Sequence, residues 1–152
     1  MSLPHTLMPP LTILIIVVAG MALSTQAPLN AALARVLGQP VAAAAVSFGV
    51  GFVVLTGVSL LLGGAAPLAR LPAATWWQLT GGFLGAFYVW AVIWGVPTLG
   101  VLTTVAALIL GQMIAALILD GTGLFGLPVN AISPARLAAA ALVAAGLVLS
   151  RW

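Results

Sequence analysis

Charge is almost absent from this sequence. Of its 152 residues only Arg35, Arg70, Asp120, Arg136 and Arg151 carry a formal side-chain charge, 3% of the chain, against roughly 25% in soluble domains. Five charges cannot wet the surface of a folded soluble domain, and a chain that is 64% apolar does not stay dispersed as a disordered one. Four scattered arginines make no stripe for a phosphate backbone to follow, so nucleic acid is excluded as a partner. What remains is an all-α membrane protein whose main partner is membrane lipid. The absence of cysteine removes disulfides, thiolate nucleophiles and Cys-based metal sites. No Ser–His pairing, carboxylate pair or metal-ligand cluster stands out, so no enzyme, metal or cofactor is expected.

A helix crossing the bilayer needs about 20 predominantly apolar residues, with its backbone bonded internally. Five stretches qualify. The first runs from about Leu11 to Ala27, or to Leu37 if the helix passes Pro28. The second covers Val41 to Gly63, after the Gly38-Gln39-Pro40 stop. The third is Thr75 to Gly95, the fourth Thr98 to Leu119 with Pro97 starting it. The fifth opens at Ser133-Pro134, an N-cap followed by proline at the first helical position, and ends near Arg151. The N-terminus lacks the basic region of a cleavable signal, so its apolar run is read as a retained span, with His5 in a solvated tail. The whole of 1–152 is read as a single transmembrane domain.

Five spans put the termini on opposite sides of the membrane. Arg70 and Arg136 then lie on the N-terminal side, Arg35 and Arg151 on the other. Orientation ordinarily follows an excess of Lys and Arg in cytoplasmic loops, and here the excess is zero. Such a chain is expected to insert both ways and pair with itself as a ten-helix antiparallel homodimer. Transporters commonly place substrate between two inverted repeats, and one five-helix chain supplies one repeat.

Read at about 100° per residue, the third helix places Gly81, Gly85, Tyr88, Val92 and Gly95 on one face. Trp76, Phe83, Phe87, Trp90 and Trp94 fall on the opposite face. Gly81 and Gly85 have the spacing that lets a neighbouring backbone approach closely. The aromatic stripe either contacts lipid and helices or, through residues such as Trp90, lines a cavity; Trp76 and Trp77 suit a headgroup-level anchor. In the fourth helix the small residues Thr103, Ala107, Gly111 and Ala115 recur every four positions, as do Ala43, Ser47 and Gly51 in the second. Both stripes are read as helix-packing surfaces.

Polar side chains inside the spans are the candidates for substrate contact. Gln112 is an amide in an apolar span, either an interhelical clasp or a substrate ligand. The first span holds the densest cluster, Ser24-Thr25-Gln26 followed by Pro28 and Asn30. Gln26 and Asn30 share a face, and proline withholds the donor that the Ser24 carbonyl would use. Interrupted helices point to transport sites, so Ser24, Gln26, Asn30, Tyr88, Trp90 and Gln112 are the predicted substrate-binding set. Asp120, the one acid, closes the fourth span and is expected at the interface, paired with an arginine.

The segments QAPLNAALARVLGQP (26–40), VSFGVG (46–51), GGFLGAFYVWAVIWGVPTLG (81–100) and LGQMIAALILDGTGLFGLP (110–128) resemble the YdcZ-type family of bacterial inner-membrane proteins, within the drug/metabolite transporter superfamily. The resemblance implies a multi-pass, five-span exporter subunit of the inner membrane. It also implies members that occur as dual-topology singles, as oppositely oriented pairs or as fused chains. The related small multidrug exporters carry a glutamate in their first span, and this chain has no acid there. Neutral polar groups without mid-span charge suit a small neutral or zwitterionic organic molecule moved by alternating access between antiparallel copies. A passive channel on the same dimer and a non-transporting scaffold or accessory subunit are the competing readings.

Overall fold

Apolar stretches of this length have one economical solution in lipid, the helix, because it bonds every backbone group within itself. The computed structural model describes residues 8–152; the reading of His5 lies outside them. The elements are α1 (Met8–Leu37), α2 (Pro40–Gly63), a short α3 (Ala66–Ala69), α4 (Thr80–Leu99), α5 (Val101–Thr122) and α6 (Pro134–Leu149), with single 3₁₀ turns at Leu71–Ala73, Trp76–Leu79 and Leu124–Gly126. No strand occurs among the described residues. Four segments are long and apolar enough to cross a membrane: Pro10–Leu37, Pro40–Gly63, Trp76–Leu99 and Val101–Thr122. The fifth expected span, α6, has 16 residues, about 24 Å at 1.5 Å per residue and shorter than a hydrocarbon core of about 30 Å.

Three boundaries can be set against expectation. Helix α1 runs through Pro28 to Leu37, the longer of the two expected extents, so the Ser24–Asn30 cluster stays helical. Proline removes one donor, and continuing the helix keeps all the other backbone bonds closed. Pro97 lies inside α4 rather than at the head of the next helix. The break falls instead at Gly100, whose φ of 78° is open to glycine and closed to most other residues. The third span begins as expected at Thr75, where the Gln78 side chain reaches back 2.8 Å to accept from the Thr75 N–H, half of a capping box.

The chain divides into two compact units, the first ending at Pro97 and the second running from Thr98 to Trp152. In the first, α1 and α2 form a close hairpin across Gly38 and Gln39. Its core is built largely of methyl groups: Ala34, Ala43 and Ala44 pack with Val89 and Ile93 of α4, flanked by Leu33 and Tyr88. Large apolar side chains point outward instead, Leu61 at 87% and Trp76 at 79% exposure. That inversion of the soluble pattern is what a lipid solvent permits, since association there depends on close packing of small residues. In the second unit α5 packs on α6. Thr103 donates to the Ser150 carbonyl at 3.1 Å, and the Ser150 hydroxyl donates back to Thr103 Oγ1 at 3.3 Å. Ser133 caps α6, accepting from the Arg136 N–H as its sequence position predicts.

Candidate functional site

Polar side chains from three helices meet inside the first unit. Gln26 and Asn30 lie one turn apart on α1, and Tyr88 projects from α4. Together with Leu23, Ala27, Val89 and Val92 they line a cleft of about 10 Å³, room for roughly one water molecule. Gln26 Nε2 donates to Ser47 Oγ of α2 at 3.4 Å. Asn30 is 8% exposed, and no side-chain hydrogen bond of its own closes on a neighbour within the described residues. The amide is not sealed off: among the described residues the fully buried side-chain polar atom without a hydrogen bond is Arg136 Nη1, so the Asn30 amide opens onto the cleft, where a water or a substrate can bond it. All three groups are neutral, offering both donors and acceptors.

The opposite side of α4 is entirely apolar. Val41, Ala44, Ala45 and Phe48 of α2 face Phe83, Ala86, Phe87 and Trp90 of α4 across a groove of about 330 Å³. The Phe87 and Trp90 ring centroids are 5.8 Å apart, and the Trp90 and Trp94 rings lie nearly parallel at 6.5 Å. Trp90 therefore belongs to the groove and not to the polar cleft.

The structure thus brings together Gln26, Asn30 and Tyr88 of the predicted set. Ser24, half-buried on α1, is not among the cleft's lining residues. Gln112 belongs to the second unit, where it is exposed on α5 and makes no side-chain hydrogen bond within the described residues. Among the packing candidates, Thr103 is buried and bonded as described, while Ala107, Gly111 and Ala115 are exposed. A Cβ added at Gly81 or Gly111 would meet nothing within 4 Å, whereas one at Gly85 would touch the Phe48 ring at 3.3 Å. Ser47 is the cleft partner that sequence reasoning passed over; its place in a small-residue stripe made it look like packing. Asp120 pairs with Arg136, Oδ2 to Nη1 at 3.0 Å.

The sequence matches the family described as "Putative inner membrane exporter, YdcZ" over residues 11–149. It is 31% identical over 123 residues to the "Inner membrane protein YdcZ" of Escherichia coli (strain K12), covering 80% of this chain and 83% of that protein. No solved structure matches it.

Proposed function

Because the chain belongs to the YdcZ family of inner-membrane exporters, we propose that it is one half of a secondary transporter. Two antiparallel copies, each crossing the membrane five times as one transmembrane domain, would place the substrate site at their interface. The observation that carries this reading is Asn30: nine-tenths buried, without a bonding partner, and lining a cleft shared with Gln26 and Tyr88. Polar groups held inside an apolar span are costly and mark substrate pathways by default. The cleft in one chain admits little more than a water, so a substrate needs volume that a second copy or an opening movement supplies.

Gln26 and Asn30 would bond the substrate's polar part, with Tyr88 fixing its orientation. Trp90, on the opposite side of α4, would meet the substrate's apolar portion only from the second copy. Ser24 and Gln112 would join the site only in the assembled dimer. No charged side chain lines the cleft, so an unpaired ion would pay its desolvation cost uncompensated. The substrate class that fits is a small neutral or zwitterionic organic molecule.

Proteoliposomes loaded with a radiolabelled panel of neutral and zwitterionic amino acids and aromatic metabolites test this. Saturable flux of at least one compound is expected, falling at least about tenfold in Asn30→Leu, a rise of roughly 1.4 kcal/mol in the transport barrier. Liposomes that pass only inorganic ions, with single-channel current, would instead indicate a channel.

A further inference from the structure

The second unit places its two opposite charges where helix polarity disfavours them. Asp120 stands in the last turn of α5, whose carbonyl end is already negative; Arg136 stands in the first turn of α6, whose amide end is already positive. The two side chains compensate each other, Nη1 3.0 Å from Oδ2, while remaining 34% and 41% exposed for Asp120 and Arg136 respectively. Nη1 itself makes no hydrogen bond. The contact thus neutralises charge and leaves directional bonding capacity unused. The Asn130 N–H donates to the Asp120 carbonyl at 2.8 Å, which ties the connection after α5 to the same turn.

Beside this ion pair lies a cavity of about 190 Å³ that both side chains line, its remaining walls being Met113, Ala116, Leu117 and Ala139. From Asp120 to Met113 the lining descends about 10 Å along α5, from the end of the span towards its middle. The cavity is therefore charged at the membrane edge and apolar inward. Its charged end has two poles: Asp120 with the α5 carbonyl terminus, and Arg136 with the α6 amide terminus.

We propose that this cavity binds a phospholipid whose headgroup carries a primary ammonium and a phosphate. The phosphate sits towards Arg136, the ammonium donates towards Asp120, and the acyl chain follows Met113, Leu117 and Ala139. A phosphatidylcholine headgroup has no N–H to donate to a carboxylate, and phosphatidylglycerol has no cation, so the chemistry separates the three lipids.

The test is thermal unfolding of the purified full chain in detergent, supplemented with phosphatidylethanolamine, phosphatidylcholine or phosphatidylglycerol of matched acyl chains. Phosphatidylethanolamine is expected to raise the midpoint at least about 3 °C above either comparator. The preference should vanish in Asp120→Asn and Arg136→Gln. Because those changes also break the ion pair, Ala139→Leu, which fills the cavity floor and keeps both charges, is the second variant and should lose the preference too. An equal response to all three lipids, or a preference that survives Ala139→Leu, overturns the proposal. Equal protection by water-soluble glycerophosphoethanolamine without added lipid would overturn the assignment to a membrane lipid.

Discussion

Asn30 shows how a single residue separates stability from function. Its amide faces the cleft and makes no hydrogen bond to another side chain within the described residues, so it contributes no compensating bond to the fold. Replacing it with leucine, similar in volume, removes a polar group that no bond in the fold holds. Asn30→Leu is expected to unfold at the same or a higher denaturant concentration than the parent, by up to about 1 kcal/mol, while transport falls. A clear loss of stability would show that the amide is a structural bond. Ser47→Ala should behave differently: it removes the acceptor of the 3.4 Å bond from Gln26 and costs about 0.6 kcal/mol, the usual worth of a hydrogen bond between helices in lipid. Half of this arrangement was legible in the sequence. Spacing alone puts Gln26 and Asn30 on one face of α1, since four residues are close to one helical turn. That Tyr88 and Ser47 meet that face was not legible, because periodicity sets the direction of a side chain around its own helix and leaves the facing helix open.

At the scale of elements, the same limit explains the glycine stripes. Small-residue spacing marks a surface that can be approached closely, and the structure shows how unevenly it is used within one chain. Gly85 receives the Phe48 ring, whereas Gly81 and Gly111 face open space. Thr103, at the head of the α5 stripe, is bonded to Ser150, which caps the end of α6, while Ala107, Gly111 and Ala115 lie uncovered. Two substitutions in one helix should therefore diverge. Thr103→Val loses bonding to α6 and lowers the stability of the chain itself, by about 1 kcal/mol. Gly111→Leu leaves that stability unchanged and lowers the dimer fraction, read by crosslinking or by mass in detergent. If Gly111→Leu destabilises the separate chain as well, the stripe serves the internal fold. The helix ends follow similar reasoning. Ser133-Pro134 announces its own start because cap and proline act locally. Gly100 escaped notice because Pro97 is the louder breaker, and only the backbone shows which of the two the helix obeys.

For the whole molecule, on the proposed five-span reading, the quantity to test is the distribution of arginine across the membrane, because the Lys and Arg bias ordinarily sets orientation. Scarcity of charge made the membrane assignment legible from composition alone, and the balance of two arginines against two follows once five spans are counted. The count depends on α6, whose roughly 24 Å is short for a crossing; local thinning of the bilayer or the following Ser150–Trp152 would make up the difference. With so small a margin, one residue should tip the balance. Arg70→Ala leaves one arginine on the N-terminal side and two on the other; Arg35→Ala does the reverse. Each variant alone is expected to adopt a single orientation, opposite in the two cases, and to lose transport. Expressing them together should restore it, since each supplies the copy that the other lacks. Orientation can be read by placing a single cysteine at Ala73, between α3 and α4 on a background that has no cysteine. With an impermeant thiol reagent, the parent should label from both faces in comparable amounts and each arginine variant from one face only. One-sided labelling of the parent itself would mean that all copies point the same way, and a site shared between antiparallel halves could not then form.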